Sequence, residues 1–342
     1  KLMKIKAKTT LEKEQRRNER SNIRGIGLTI ETRPDYAKLE HSNNMLRLGA
    51  TRVELGVQTV YDEVLDKIGR GHSVDDTVEA TRILKDLGFK INYHVMPGLP
   101  TVTHEEDLRA LKQLFEYPEF RPDMLKIYPC MVLKGTKLYK EWKKGNYKPL
   151  TTKRAAELIT EFKKHVPRYT RIMRVQRDIP TFMTEAGVDR TNLRQYIEVL
   201  MKKEKIKCRC IRCREPRGKE ISIKNIKIKS TTYNASKGLE HFIYAEDCCK
   251  LAGFCRLRFP SRPLRKEITE GSALVRELHV FGEAVGVGKK GSLQHKGIGK
   301  MLLKKAEQIA KQNKKDKIVI ISGIGARGYY RKLGYKKQGV YM

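Results

Sequence analysis

Residues 26–128 alternate between short apolar stretches of strand character and longer stretches with helical spacing of apolar residues. The predicted strands cover residues 26–30, 52–57, 89–96 and 124–128, and the predicted helices cover 36–48, 61–68, 74–87 and 104–116. Strands that alternate with helices over short connections indicate a parallel sheet built from strand–helix units. Only about four strands can be recognised, so we expect an incomplete barrel and not a full eight-stranded one.

Polar residues gather where these strands end. In parallel α/β folds the carboxyl ends of the strands form the functional site. The candidates for ligand contacts at this end of the sheet are Glu31, Gln58, His94 and Lys126. Ordinary polar pairing inside the sheet is the alternative for each of them.

Residues 135–205 are predicted to be helical, apart from a basic, strand-like segment at 171–180. Arginines that interleave with apolar residues would line one face of a strand with positive charge. The candidates for contacts with a polyanion are therefore Arg171, Arg174, Arg177 and Arg194. A solvated edge strand is the alternative.

The charge balance concerns partners and not the fold. Lysine and arginine total 73 against 39 acidic residues, a net charge of +34. Such an excess favours nucleic acid as the partner, since phosphates attract a distributed basic surface. A membrane surface is less favoured because the charge is not gathered in one amphipathic arm, and no apolar stretch approaches the roughly 20 residues of a membrane span. Part of the lysine excess is also typical of heat-adapted surfaces.

Three of the seven cysteines, Cys208, Cys210 and Cys213, form a C-x-C-x2-C cluster. Thiolates this close together can converge on one metal ion, and soft thiolates select zinc or an iron–sulfur cluster. We expect structural zinc, with Cys130 and His165 as weak candidates for a fourth ligand. The odd number of cysteines argues against a disulfide framework and favours the reducing cytoplasm.

From residue 220 the pattern changes to the alternation of antiparallel strands, which is followed by a glycine-rich loop at 282–291. The segment Gln294-His295-Lys296-Gly297-Ile298-Gly299 then opens an amphipathic helix. Glycines at a helix amino terminus let backbone N–H groups approach a pyrophosphate, although an ordinary turn is the alternative. We therefore expect domains at 1–205 and 220–342, joined by a zinc-binding linker at 206–219.

Residues 270–342 resemble the GCN5-related N-acetyltransferase (GNAT) family, through the motif at 294–299 and through Tyr330-x-x-x-Gly334. The resemblance implies that Tyr330 protonates the departing thiolate of coenzyme A, that Tyr329 substitutes for it or orients it, and that Glu277 is a base. The implied acetyl-CoA contacts are Leu278, His279, Val280, Gln294, His295, Lys296, Gly297, Ile298, Gly299, Lys300 and Tyr330. Aromatic core packing and a surface carboxylate are the alternatives for these side chains.

The whole chain resembles the catalytic subunits of Elongator. The motifs are Gly27–Asp35, Glu54–Thr59 and Met96–Pro100 for a radical SAM half, and Arg276–Val280, Gln294–Gly299 and Tyr329–Tyr335 for an acetyltransferase half. The resemblance implies a partial radical SAM (βα) barrel followed by a mixed α/β GNAT domain. It also implies an enzyme that uses acetyl-CoA, S-adenosylmethionine and a [4Fe–4S] cluster to modify C5 of the wobble uridine of tRNA, as the first part of carboxymethyluridine formation. Glu31, Gln58, His94 and Lys126 are then the candidates for S-adenosylmethionine contacts.

One departure limits this resemblance: the cluster signature C-x3-C-x2-C is absent from the sequence. We expect that an amino-terminal part of the barrel is missing, and that this polypeptide binds acetyl-CoA without forming the radical SAM cluster by itself. Other Elongator subunits are possible partners that the sequence does not require. A protein lysine acetyltransferase and a non-catalytic tRNA-binding scaffold are the competing functions.

Overall fold

The computed structural model describes residues 9–217, 221–282 and 297–342. Within these residues the amino-terminal half contains a parallel sheet of five strands in the order β1-β2-β3-β4-β6. The strands are β1 (Thr29–Thr32), β2 (Arg52–Gln58), β3 (Lys90–Val95), β4 (Met124–Ile127) and β6 (Arg171–Arg174), and a separate small ladder pairs β5 (Val132–Leu133) with β7 (Thr184–Ala186). The helices of this half are α1 (Leu11–Arg20), α2 (Leu39–Leu48), α3 (Asp62–Lys67), α4 (Val74–Asp86), α5 (His104–Glu116), α6 (Lys137–Lys143), α7 (Thr152–Phe162) and α8 (Leu193–Lys203). The predicted alternation of strands and helices is confirmed.

Two features of this half differ from the sequence prediction. The basic segment at 171–180 supplies a fifth parallel strand, β6, which pairs with β4 at one edge of the sheet. At the other edge β1 begins at Thr29, three residues later than predicted, and β2 is its only neighbour among the described strands. The chain before it lies against residues 323–325 of the second half, where it is not available to extend the strand.

The two faces of the parallel sheet have different chemistry because alternate side chains point to opposite sides. One face is apolar and forms the core with the helices; its residues include Val53, Leu55, Ile91, Leu125 and Ile172. The other face carries polar side chains at positions that are paired across the strands, such as Glu31 with Glu54 and His94 with Lys126.

The carboxyl-terminal half is built on a mixed sheet in the order β12-β11-β10-β9-β8. Its elements are α9 (Ile211–Arg214), β8 (Lys227–Ala235), β9 (Gly238–Asp247), β10 (Lys250–Phe259), β11 (Ser272–Val280), α10 (Ile298–Gln312), β12 (Lys317–Ile320) and α11 (Arg327–Lys332). Strands β8 to β11 are antiparallel and β12 is parallel to β11. Helix α10 covers one face of this sheet with its predicted apolar stripe, which includes Leu302, Leu303 and Ala306. The fold class predicted from the sequence, a partial (βα) barrel followed by a mixed α/β domain, is confirmed.

A network of fully buried ion pairs joins the two halves. Asp123 lies immediately before β4, and its carboxylate accepts hydrogen bonds from both terminal nitrogens of Arg276 on β11, at 2.6 and 2.8 Å. Glu240 on β9 accepts a hydrogen bond from Arg276 at 3.0 Å and another from Arg258 at 3.0 Å. Arg258 in turn contacts Asp86 at the end of α4, at 2.6 Å. Because unpaired buried charges are costly, these pairs fix how the halves meet.

No helix among the described residues is long and apolar enough to cross a membrane.

Candidate active site

A cavity of about 480 Å³ opens between β11, the first turn of α10 and the short helix α11. Its walls are formed by Leu278, Val280, Gly297, Ile298, Gly299, Lys300, Ala326, Tyr329, Tyr330 and Leu333. Most of the predicted acetyl-CoA contacts among the described residues therefore lie around one space. His279 does not line it and packs instead against the rings of Phe254 and Phe281. Gln294, His295 and Lys296 lie outside the described residues.

The first turn of α10 has glycine at two positions that affect its surroundings. Gly297 immediately precedes the helix with φ +83°, a left-handed conformation that side chains disfavour. A β-carbon on Gly299 would lie 2.9 Å from the hydroxyl oxygen of Tyr329. The absence of a side chain at Gly299 therefore leaves room for the side chain of Tyr329 beside the first turn of α10.

The two tyrosines of α11 lie in different environments. Tyr330 is buried, and its burial raises the pKa of its phenol above the ordinary value of 10, so it is protonated at neutral pH. Tyr329 is 43% exposed, and its ring packs edge-on against that of Tyr330 at a centroid distance of 5.3 Å. A protonated phenol on the wall of a cavity can donate its proton to a leaving group.

Glu277 is not among the residues that line the cavity. Its carboxylate contacts Arg256 at 2.9 Å, and its side chain is only 10% exposed. Burial raises the pKa of Glu277, but the charges of Arg256 and Lys90 outweigh burial and lower it. A carboxylate held in this way is a weak base, so a role for Glu277 in catalysis stays a prediction.

On the polar face of the parallel sheet, Glu54 brings together three of the four residues predicted for the strand ends. His94 Nε2 lies 2.7 Å from Glu54, Lys126 forms an ion pair with the same carboxylate, and His94 Nδ1 lies 3.3 Å from Glu31. Burial raises the pKa of Glu54, but the hydrogen bonds with His94 and Lys126 outweigh it and lower the pKa to about 2. Gln58 lies apart, at the end of β2, in a left-handed conformation with φ +69°.

Glu54 itself was not predicted as a site residue. The sequence does contain a sign of it, because Glu54 is the one acid within the otherwise apolar stretch Val53–Val57. A carboxylate buried in such a strand needs a charged or hydrogen-bonding partner. The side chain of Glu31 is 65% exposed, so this cluster has one carboxylate that is open to a ligand.

The thiols of Cys208, Cys210 and Cys213 converge as predicted: their sulfur atoms lie within 4.8 Å of one another. Neither proposed fourth ligand joins them, because Cys130 packs in a separate core with Val132 and Tyr147, and His165 faces Glu161 at 3.8 Å.

The buried ammonium of Lys163 lies 3.5 Å from the sulfur of Cys213. Zinc with three thiolates carries one net negative charge, which this ammonium would offset. The donor set therefore fits a thiolate-bound metal ion.

The thiol cluster lies at the amino end of the parallel sheet, where the N–H of Ile211 donates to the carbonyl of Thr170, one residue before β6. The candidates for S-adenosylmethionine contacts are residues on β1 to β4 that lie further toward the carboxyl ends of those strands. The structure therefore does not bring the thiols and these candidates together.

The four arginines predicted to contact a polyanion divide into two pairs. Arg171 is largely buried against Glu215 at 2.7 Å, and Arg194 donates to the carbonyl of Met173 at 3.3 Å. Arg174 and Arg177 are exposed; Arg174 pairs with Asp178, and the guanidinium of Arg177 lies over the ring of Tyr128. Only the second pair presents its charge to solvent.

Comparisons with known families match this architecture. Residues 3–114 match the Radical SAM superfamily, residues 122–203 match the Radical SAM C-terminal domain, and residues 211–335 match the Acetyltransferase (GNAT) family.

The chain is similar over nearly its whole length to named proteins of archaea and animals. It is 48% identical over 346 residues to a tRNA uridine(34) acetyltransferase of Methanocaldococcus jannaschii, covering 98% of this chain and 64% of that protein. It is 43% identical over 335 residues to Elongator complex protein 3 of Homo sapiens, covering 95% of this chain and 61% of that protein. The chain thus spans somewhat less than two thirds of the length of these relatives.

A solved structure agrees with the fold. The archaeal Elp3 of Methanocaldococcus infernus, with an N-terminus deletion (1–46), superposes with a TM-score of 0.92 at 48% identity. The superposition covers 97% of this chain and 80% of that one.

Proposed function

This chain belongs to the Elongator complex protein 3 family, and we propose that it is the catalytic part of a tRNA uridine(34) acetyltransferase. In this function acetyl-CoA and radical SAM chemistry begin the formation of 5-carboxymethyluridine at the wobble position. The observation that carries the proposal is the cavity between α10 and α11, whose walls hold most of the predicted acetyl-CoA contacts, in a domain joined by buried ion pairs to a radical SAM sheet.

In the proposed reaction, acetyl-CoA lies with its pyrophosphate at the amino terminus of α10, where Gly297 and Gly299 expose backbone N–H groups to the negative charge. The thioester then lies beside Tyr330. Water attacks the acetyl carbonyl carbon, the carbon–sulfur bond breaks, and the leaving sulfur takes the phenolic proton of Tyr330. The proton that the water loses restores the phenol. Burial raises the pKa of Tyr330 and makes its phenol a weaker acid, so the phenol first stabilises the developing thiolate as a hydrogen-bond donor.

On the radical SAM side, S-adenosylmethionine and a [4Fe–4S] cluster would supply the radical that activates the acetyl group. The open carboxylate of Glu31 suits the cationic or hydroxyl groups of S-adenosylmethionine, while Glu54, His94 and Lys126 hold one another in place beside it. Cys208, Cys210 and Cys213 do not lie with these candidates, and we assign them to structural zinc.

Transfer RNA is the proposed substrate because a net charge of +34 suits a polyanion. Of the four candidate arginines, Arg174 and Arg177 are exposed and would contact its phosphates. A protein lysine acetyltransferase is less favoured: it requires a base near the thioester, and Glu277 does not line the cavity and is held by Arg256. The proposal places the chain in the cytoplasm and does not require other Elongator subunits.

Hydrolysis of acetyl-CoA, with and without tRNA, tests this assignment. We expect tRNA to stimulate hydrolysis and Tyr330→Phe to suppress it while tRNA affinity is retained. The matched control is Tyr117→Phe, which removes a hydroxyl from a half-exposed ring that does not line the cavity. Equal rates of hydrolysis by the wild type and Tyr330→Phe would refute the role of Tyr330. Equal rates with and without tRNA would refute the assignment of tRNA as the substrate.

A further inference from the structure

A segment near the amino terminus lies directly against α11, the short helix that forms one wall of the proposed acetyl-CoA cavity. Residues 10–27, which we call the strap, consist of α1 and the extended chain that leads toward β1. Helix α1 has no buried residue of its own, so little apolar burial holds it in place. Its position must therefore depend on polar contacts.

The main polar contact is made by Glu19. One carboxylate oxygen contacts Arg327 at 2.9 Å and the other contacts Arg331 at 2.7 Å. The side chain of Glu19 is 12% exposed and that of Arg327 only 3%. Burial raises the pKa of Glu19, but the two guanidinium groups outweigh burial and lower it, so the carboxylate is charged at neutral pH.

Arg327 and Arg331 are four residues apart on α11 and therefore share one face of the helix. Tyr329 and Tyr330, which line the cavity, lie between them in sequence and project from other faces of the same helix. Glu19 thus fixes the outer face of a six-residue helix whose other side bears the tyrosines.

The turn before α11 is also shaped by the strap. The N–H of Gly325 donates to the carbonyl of Gly25 at 3.2 Å, and a β-carbon on Gly323 would overlap the carbonyl oxygen of Ile26. Asn18 closes the strap by exchanging two hydrogen bonds with the backbone of Gly25, at 2.8 and 2.9 Å. The glycines of this turn are therefore explained by the passage of the chain and not by a ligand.

Positive charge surrounds the contact. The pKa of Lys337 is lowered by burial and by the nearby charges of Arg327, Arg16 and Arg331, and the charge of Glu19 opposes this shift. Without Glu19, a buried guanidinium would be left beside other cations with no counter-charge, and α11 would have to move to hydrate it.

We propose that Glu19 is a positioning residue for acetyl-CoA binding: through Arg327 and Arg331 it holds α11 so that Tyr329 and Tyr330 complete the wall of the cavity. This inference rests on the proposed acetyl-CoA site and adds a segment from outside the acetyltransferase domain to it.

Calorimetric titration of the full chain with acetyl-CoA tests the inference. Glu19→Gln, which keeps the shape and removes the charge, is expected to raise the Kd about tenfold and to speed hydrogen exchange at the amides of α11. The matched control is Glu14→Gln on the same helix, whose partner Arg17 lies at 2.6 Å on the exposed surface. We expect this control to bind acetyl-CoA as the wild type does.

Two further variants separate positioning from a loss of folding. Arg331→Gln breaks only the more exposed arm of the contact and should raise the Kd about threefold. The double variant should bind like Glu19→Gln alone, since both changes remove one interaction. If Glu19→Gln does not fold, Arg331→Gln carries the test.

Wild-type affinity in Glu19→Gln, or in Arg331→Gln where only that variant folds, would overturn the inference and leave the acetyl-CoA site standing. Absence of acetyl-CoA binding by the wild type would instead overturn both.

Discussion

Removing one carboxylate from the buried network between the two halves should destabilise the whole chain. Asp123 is completely buried and accepts hydrogen bonds from Arg276 and from the N–H of Ile91, with Arg256 at 3.4 Å and Lys85 at 3.7 Å. Asp123→Asn keeps the shape of this side chain and removes its charge. Because both oxygens of Asp123 accept hydrogen bonds, the substitution also replaces one acceptor with a donor.

The magnitude follows from the balance of charges. The network contains four cations and four carboxylates, and each member forms an ion pair with at least one other. They are Lys85, Arg256, Arg258, Arg276, Asp86, Asp123, Glu240 and Glu277. The substitution leaves one positive charge uncompensated, and breaking a buried pair in this way costs about 3–5 kcal/mol. For a chain of 342 residues the entropy of unfolding is about 0.7 kcal/mol per kelvin, so we expect Tm to fall by about 4–7 °C.

Scanning calorimetry at pH 7 measures this change, with Asp178→Asn as the matched control. Asp178 makes the same kind of ion pair with Arg174, but its side chain is 76% exposed. Exposed pairs contribute at most about 1 kcal/mol, so the control should shift Tm by about 1 °C or less.

The pH dependence provides a second signature. Burial raises the pKa of Asp123, but the charges of Arg276, Lys85 and Arg256 outweigh it and hold the pKa well below its usual range. The stabilisation is therefore complete at neutral pH and is lost only in strong acid, where the wild type and the variant should converge. A variant that melts within 1 °C of the control at pH 7 would refute the reasoning.

Two further predictions concern single side chains. Burial raises the pKa of Asp107 to about 7, so the folded state binds more protons than the unfolded state between about pH 4 and 7, and stability falls as pH rises through that window. Urea denaturation should therefore show that Asp107→Asn is more stable relative to the wild type at pH 8 than at pH 5, and an unchanged difference would contradict the raised pKa. Cys213→Ser should reduce zinc from one equivalent to a small fraction of that in metal analysis of the purified chain, whereas full retention of zinc would exclude Cys213 as a ligand.

The periodicity of the sequence predicts most of the elements because helices and parallel strands depend on local patterns of apolar residues. Helix α5 is predicted at its observed bounds, and β2 is predicted to within one residue. Strand β6 was recognised as a basic segment, but its place in the parallel sheet was not predicted. Its four residues are too few to show a period, and its pairing with β4 depends on contacts between distant parts of the chain.

The candidate site shows the same division. The cavity residues from Gly297 to Lys300 and the tyrosines of α11 belong to two short motifs, and the resemblance to the GNAT family predicts them together. The pairing of Asp123 with Arg276 spans 153 residues, and no local pattern reveals it. Arg171 was expected to contact a polyanion because arginines interleave with apolar residues in its segment, but Glu215, 44 residues later, pairs with it and covers it.

The edge of the parallel sheet at β1 affects how the isolated chain behaves in solution. Beyond β1 no described strand covers the backbone, and Ile23 and Ile26 beside it are 94% and 71% exposed. Open edges of this kind pair with one another between molecules, while a net charge of +34 keeps molecules apart. Salt screens that repulsion over about 10 Å at 0.1 M and over still shorter distances at higher concentration. Concentrated salt, which is often chosen to strip nucleic acid from basic proteins, therefore weakens the charge repulsion that opposes association through this edge.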